Sequence, residues 1–173
     1  MCRQIRLGLV PGLVAATLLA WGCDRPVTPA GPKPSFSDGT GLCAGGERFT
    51  GGGRIEPLGG TTTFGFNVDA RDLCSSGGPI KGQLQTVWHP PHLRIQSLTF
   101  DPSSFASFED LDGRGGECAF FGGTASVKDG NGSWRQEQFG AIACDNPDRF
   151  GIELADGNTT DLVDLTGGNI QAH

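Results

Sequence analysis

From residue 43 onward, apolar and polar residues alternate in short segments separated by clusters of Gly, Pro, Asn and Asp. In residues 61–71, Phe64, Phe66, Val68 and Ala70 fall on one side of an extended chain, and mostly polar residues fall on the other. Such alternation is typical of a strand with one buried face and one wet face. No stretch of ten residues carries an apolar stripe at helical spacing. The pattern therefore predicts an all-β domain.

Eight strands are predicted, at residues 47–55, 61–71, 79–89, 93–100, 117–128, 133–145, 149–155 and 165–173. The fourth changes side after Ile95, which predicts a bulge near Gln96 and Ser97. Residues 101–116 are predicted to form a long loop. Pairing of the first strand with the last would close a small antiparallel eight-stranded barrel, or a barrel-like meander, without exposed edges. A two-sheet β-sandwich is the alternative.

The six phenylalanine and tryptophan side chains expected inside this domain are enough to fill a narrow barrel. They are Phe64, Phe66, Trp88, Phe121, Phe139 and Phe150.

The first 22 residues have the form of a signal peptide. Arg3 and Arg6 form a short basic head, and an apolar run follows that is too short for a spanning helix. The run ends in Gly22-Cys23, which resembles the lipobox of bacterial lipoproteins, although Ala20 and Trp21 depart from its commonest form. The resemblance implies that Cys23 becomes the lipidated first residue. An ordinary cleaved signal peptide with an incidental cysteine is the alternative.

Residues 23–42 combine this cysteine with a proline-rich stretch that has the composition of a tether. Residues 43–173 then form a single domain of ordinary size. Because residues 1–22 contain two basic residues and no acid, the remainder carries eleven basic and nineteen acidic residues, a formal charge of −8. This acidic balance argues against nucleic acid as a partner.

Four cysteines lie in the domain, and an even number in an exported chain predicts disulfides. Directly paired positions of an antiparallel hairpin have a constant sum of residue numbers. The turn around Asn131 gives a sum near 262, which Cys118 and Cys144 satisfy, and the turn near Gly59 gives 117, which Cys43 and Cys74 satisfy. Each pair is therefore predicted to join the open end of its own hairpin. A four-cysteine zinc site lacks the close spacing such sites use.

Several glycine-rich and aromatic motifs resemble the post-choice-of-anchor domains of bacterial surface proteins. They are Gly51-Gly52-Gly53-Arg54-Ile55, Phe64-Gly65-Phe66, Lys81-Gly82-Gln83-Leu84, Gly123-Thr124-Ala125, Asp145-Asn146 before Phe150-Gly151-Ile152, and Gly167 to His173. The resemblance covers about the whole domain and implies a bacterial surface location. It supplies no catalytic residue, and the four cysteines depart from the pattern.

Three groups of residues resemble parts of metal sites, but no metal or cofactor is predicted. His89 and His92 flank two prolines, which a stiff bend explains, and the only other histidine is His173. The segment 129–133 resembles the start of a calcium loop but is a stronger hairpin-turn signal. Clustered loop carboxylates remain candidates for a cation site; they are Asp110, Asp112, Asp145 and Asp148, with Glu117 beside the first two.

No nucleophile elbow, phosphate loop or free catalytic cysteine is present, so the chain is not expected to be an enzyme. The sequence predicts a non-catalytic binding or structural module, lipid-anchored at the bacterial cell envelope, whose outer face or loops contact an envelope protein or a glycan. A carrier that encloses a small ligand is the alternative, and a hydrolase would need two acids converging in one cleft.

Overall fold

The computed structural model describes residue 43 and residues 46–57, 60–90, 92–109, 111 and 113–173. Within them the fold is all-β. Its strands are β1 Arg48–Ile55, β2 Thr61–Asp69, β3 Lys81–His89, β4 Leu93–Phe100, β5 Ala106–Glu109, β6 Glu117–Asp129, β7 Trp134–Cys144, β8 Arg149–Leu154 and β9 Val163–Ala172. The predicted segments 1–22 and 23–42, with Cys23, lie outside the described residues.

All nine strands belong to one antiparallel sheet, in the order β4-β3-β2-β1-β9-β8-β7-β6-β5. The sheet closes because β4 also pairs with β6, from Leu93↔Asp129 to Phe100↔Gly123. Eight strands therefore form a closed ring, and β5 pairs with the first half of β6 beyond the point where β4 ends. The predicted pairing of the first strand with the last is confirmed, since β1 and β9 are neighbours from Phe49↔Ala172 to Ile55↔Leu165.

The hairpin register agrees with the arithmetic of the sequence. In the β1–β2 hairpin Arg48 lies opposite Asp69, and in the β6–β7 hairpin Cys118 lies directly opposite Cys144. The structure contains both expected disulfides, Cys43–Cys74 and Cys118–Cys144. Only the second joins directly paired strand positions, because Cys43 precedes β1 and Cys74 lies in the helix Arg71–Ser76. A parallel bridge between Cys43 and Ser107 brings the two disulfides to the same end of the ring, because Ser107 pairs with Ala119 of β6.

The interior of the ring is filled by aromatic rings from facing strands. Phe64 stacks on Phe150 with a centroid distance of 3.9 Å, although the two residues lie 86 positions apart along the chain. Phe66 and Phe100 both pack against Phe121, at 5.5 and 6.0 Å. All six side chains that the sequence placed inside are buried, none more than 9 % exposed. Burial of these rings is the main stabilising contribution to the fold.

Three local features differ from the predictions. The expected loop 101–116 contains a short 3₁₀ helix, Pro102–Ser104, and the ninth strand, β5. The second strand ends at Asp69, and Arg71, its predicted last residue, begins a six-residue helix, α1, Arg71–Ser76, which is too short to show helical periodicity. The bulge in β4 is present between Ser97 and Thr99, but Leu98 is 51 % exposed rather than turned inward.

Among the described residues, no helix has the length and apolar character needed to cross a bilayer.

Candidate functional site

Strands β1 to β4 present a row of uncharged positions on the outside of the ring. The pairings Gly52↔Gly65, Gly65↔Gln85 and Gln85↔Gln96 place these four residues side by side across the four strands. They face outward because their neighbours along each strand, such as Phe64 and Phe66, point into the core.

A second polar row lies beside the first, where Asn67 pairs with Gln83. We call the two rows together the amide face; it consists of Gly52, Gly65, Asn67, Gln83, Gln85 and Gln96. Carboxamides both donate and accept hydrogen bonds and carry no charge. The amide face can therefore bind hydroxyl and amide groups without requiring a counter-ion.

A depression of about 400 Å³ lies in the middle of the amide face. Gly65 forms part of its floor, and a Cβ atom added there would meet no atom within 4 Å. Side chains rise on both sides of this glycine, so the depression is the space that a side chain at position 65 would occupy. Its lining residues are Thr63, Phe64, Gly65, Phe66, Asn67, Gln83, Gln85 and Val87.

Asn67 brings an unused acceptor to this depression. Its Oδ1 atom is shielded from solvent and accepts no hydrogen bond from any described residue. A buried polar atom without a partner costs free energy unless water or a ligand satisfies it. Because Oδ1 is shielded, a ligand hydroxyl group reaches it only when the Asn67 side chain turns towards the depression.

At one edge of the ring the two histidines meet in a separate depression of about 270 Å³. The Nδ1 atoms of His89 and His92 lie 2.9 Å apart, so one ring donates a hydrogen bond to the other. Arg94, Gly130 and Asn131 line the same depression. We call this the histidine corner.

The third histidine lies at the opposite end of the ring. The ring of His173 bonds to Thr50 Oγ1 at 3.1 Å, and its backbone pairs with Arg48. Arg48 pairs with Asp69 at one end of the ring. His89 is the last residue of β3 and pairs with Thr61 at the opposite end. The three histidines consequently cannot share one metal ion.

The outside of the β6–β7 hairpin is covered near its disulfide. Cys118, Cys144 and Arg149 lie in one outward row, yet none is more than 1 % exposed. Arg114 from the preceding loop bonds to Asp164 at 2.8 Å beside this row. The loop before β6 thus covers the outer face of the sheet near this disulfide, whereas the outer face of β1 to β4 is open.

Farther along the same outer surface, a depression of about 220 Å³ lies between β7, β8 and the segment that follows β8. Phe120, Ile142 and Leu162 give it apolar walls, and the carboxyl-bearing residues Glu153 and Asp161 also line it. This is the described place where two acids border one cleft, as a hydrolase would require.

Two of the four candidate carboxylates for a cation site, Asp145 and Asp148, belong to the described residues. Asp145 uses Oδ2 to accept a hydrogen bond from the backbone of Ala172, and Asp148 accepts one from Leu165 through its carbonyl group. No three His, Cys, Asp or Glu residues cluster suitably for a metal within the described part of the chain. Asp110 and Asp112 lie outside the described residues, so their part of the hypothesis stays a prediction.

The amide face was missed by the sequence interpretation, although its signal was present. The outward direction of Asn67, Gln83 and Gln85 follows from strand alternation alone. What the sequence did not provide was the register that places Gly65 between them and continues the row to Gln96 on β4.

The fold and surface define a class of protein: an all-β, disulfide-linked domain with a solid interior and an uncharged polar outer face. Comparisons with protein-family models, curated proteins and solved structures found no match to this chain.

Proposed function

We propose that this protein is an exported, lipid-anchored module of the bacterial envelope that binds an uncharged polysaccharide on its amide face without catalysis. The observation that carries the binding proposal is the depression around Gly65, with the unpartnered Asn67 Oδ1 beside it. Two disulfides support the exported location, because such bonds persist in oxidising compartments.

The chemistry of the amide face favours a sugar chain over a charged partner. Its donors and acceptors are carboxamides, and none of its six positions carries a charge. A polysaccharide offers hydroxyl groups at short intervals, which glutamine and asparagine can bind directly or through water. An ionic partner would leave its own charges unpaired against this surface.

The filled interior argues against the alternative of a small-ligand carrier. The stacked pair Phe64 and Phe150 lies across the ring, and Phe121 of β6 contacts one ring from β2 and one from β4. A carrier would need several of these side chains to line a cavity instead of packing on one another. The outer face is therefore the better place for a ligand.

Two glycines make a matched test of the amide face. Gly65 and Gly167 both lie in strands, and a Cβ added at either meets nothing within 4 Å. Gly65→Phe should fill the depression without disturbing the fold, while Gly167→Phe adds the same bulk on β9, outside the lining of the depression. We expect Gly65→Phe to weaken binding at least about tenfold and Gly167→Phe to leave it unchanged.

Binding would be measured on arrays of uncharged and uronic-acid oligosaccharides, with melting temperatures to verify that both variants fold. Equal losses in the two variants, or no binding to any uncharged oligosaccharide, would contradict the proposal. We expect bound oligosaccharides to be recovered intact. If the oligosaccharides are cleaved and Glu153→Gln abolishes the cleavage, the protein is a hydrolase that uses the β7–β8 depression and not a binding module.

The anchor has its own test, because Cys2 provides a control for Cys23. Cells grown with a labelled fatty acid should incorporate the label into the wild-type protein and into Cys2→Ser, but not into Cys23→Ser. Two or more acyl chains hold a protein stably at a bilayer, so Cys23→Ser should also release the protein from membranes. Label retained in Cys23→Ser would overturn lipid anchoring and leave the binding proposal untouched.

A further inference from the structure

The histidine corner lies at a place where positive groups gather on an acidic protein. Arg94 lines it together with His89 and His92. Lys128 is the direct cross-strand partner of Arg94 in the β4–β6 pair. The chain as a whole has a formal charge of −6. Arg94 and Lys128 thus bring two positive charges to this corner, beside Asp129, which pairs with Leu93.

Arg94 and Lys128 differ from most of the other cations of the described residues in that they lack an acidic partner. Like charges directly opposite one another destabilise a sheet, and neither side chain forms an ion pair with any described residue. Lys128 instead lies 6.0 Å from the centre of the Trp134 ring. By contrast, Arg54, Arg71, Lys81, Arg114 and Arg135 each contact a carboxylate within 4.0 Å. An opposed, unneutralised pair of cations is what an anion site requires.

These charges decide between two ligands for the histidines. A pair of imidazoles 2.9 Å apart could also attract a metal cation. Arg94 lines the same depression and Lys128 lies beside Arg94, so a metal cation would be repelled from this corner. An anion would instead be attracted by both, and it would relieve their mutual repulsion.

The donors of the corner match an oxyanion with several oxygens. A guanidinium group presents a planar fork to two oxygens, and an imidazole or a carboxamide adds single donors from other directions. Arg94, Asn131 and one ring of the histidine pair can supply these three kinds of donor around one depression. A tetrahedral phosphate accepts hydrogen bonds from several sides at once.

We infer that the histidine corner binds a phosphate group, held chiefly by Arg94, with His89, His92 and Asn131 around it and with Lys128, which does not line the depression, adding positive charge from the neighbouring strand. The group could be free phosphate or the headgroup of an anionic phospholipid, which share this chemistry. This site borders the amide face, because Val87 lines both depressions, but the two depressions share no polar lining residue. Its failure would therefore leave the polysaccharide proposal standing.

The first test is a titration of the full-length Cys23→Ser chain with inorganic phosphate at constant ionic strength. The backbone amide resonances of Gly130 and Asn131, which line the corner, should shift to saturation with a dissociation constant on the order of millimolar. Arg94→Gln should weaken this binding about tenfold. Arg54→Gln is the matched control, because Arg54 is an exposed arginine of the same sheet that is already paired with Glu56 at 2.6 Å.

A second arm identifies the source of the phosphate. Sedimentation with vesicles of phosphatidylglycerol, but not of phosphatidylcholine, that is lost in Arg94→Gln would assign a lipid headgroup. Saturable binding of inorganic phosphate without vesicle binding would assign free phosphate. The inference is overturned if neither probe binds, or if Arg54→Gln and Arg94→Gln reduce binding equally, since that would show a general effect of net charge.

Discussion

The two disulfide-linked hairpins of this protein follow the same register rule but treat their outer faces in opposite ways. On β1–β2 the outer face is open, and a side chain added at Gly65 would meet nothing. On β6–β7 a Cβ added at Gly122 would meet Ser104 and one at Gly140 would meet the ring of Phe120. Near its disulfide the second face is closed further, since Cys118 and Arg149 are buried.

The covered outer face of β6–β7 contributes to the packing of the fold, whereas the open outer face of β1–β2 is accessible to a partner. The covering of β6–β7 comes from the segment between β4 and β6, which includes β5 and Arg114. No described segment covers the centre of the amide face, which keeps a depression of about 400 Å³. Glycine residues beneath glutamine side chains contribute little packing energy. We therefore attribute this surface to the binding of a partner.

The largest expected loss of stability follows from removing a disulfide, and it should differ between the two disulfides. Their loops have similar lengths, so the chain-entropy model gives each about 3 to 4 kcal/mol. Cys118 and Cys144 are fully buried against Arg149, whereas Cys43 and Cys74 are only partly buried. Cys118→Ala/Cys144→Ala should lower the free energy of unfolding by about 4 to 5 kcal/mol, and Cys43→Ala/Cys74→Ala by about 3 kcal/mol. Denaturant unfolding of both variants would measure this, and equal losses would refute the distinction.

Next comes a glycine at the seam where the ring closes. A Cβ at Gly123 would collide with the carbonyl oxygen of Thr99 in β4, a backbone atom that cannot turn away. Gly123→Ala should therefore cost about 3 kcal/mol, because the β4–β6 pairing must shift. Thermal unfolding would show this loss, and a wild-type melting temperature would mean that the seam is looser than the structure indicates.

An ion pair at the base of the first hairpin should have a smaller, pH-dependent effect. The Arg71 guanidinium donates to the Asp69 carboxylate and lowers its pKa from 3.8 to about 2. A pKa lowered in the folded state gives stability that is present above pH 3.8 and is lost as the pH falls towards 2. Because Arg71 is largely exposed, solvent screening reduces the contribution to about 1 kcal/mol.

Asp69→Asn should therefore lose about 1 kcal/mol at neutral pH and almost nothing near pH 2. Urea unfolding at several pH values would follow the difference between wild type and variant. A difference that stays constant with pH would show that Asp69 acts through packing and not through its charge.

The smallest effect belongs to Gly65 itself. Its backbone is extended and its outer side is empty, so Gly65→Ala should leave stability unchanged or raise it by about 0.5 kcal/mol. A loss as large as that of Gly123→Ala would break the comparison, because it would show that the amide face is packed. Melting temperatures of the two alanine variants, measured side by side, decide this.

Much of the fold follows from the sequence because strand alternation and hairpin register are local. The sum 262 places Cys118 opposite Cys144 in the β6–β7 ladder, whereas Cys43–Cys74 forms outside the β1–β2 ladder, with Cys74 in α1, so its agreement with the sum 117 does not reflect strand register. Alternation also places Phe64 and Phe150 inside, where they contact each other across the ring. The sequence did not predict helix α1 and β5, because six and four residues are too few to show a repeated pattern.

The candidate sites could be predicted only in part, because they join strands that are distant in sequence. Arg94 and Lys128 become neighbours through the β4–β6 closure, a pairing that no turn signal announces. The continuation of the Gly65 row to Gln96 likewise depends on the register of three strands. The sequence predicts which way a single side chain points, but not which residues of other strands lie beside it.

The most direct test of the central claim, that the interior is solid and that binding occurs outside, is native mass spectrometry. The full-length protein would be purified from an exporting host and weighed under native conditions and again after denaturation. We predict the same mass in both states, with two disulfides and any covalent lipid retained. A bound mass that leaves only on denaturation, and that Gly65→Phe does not remove, would show an enclosed ligand and contradict the account.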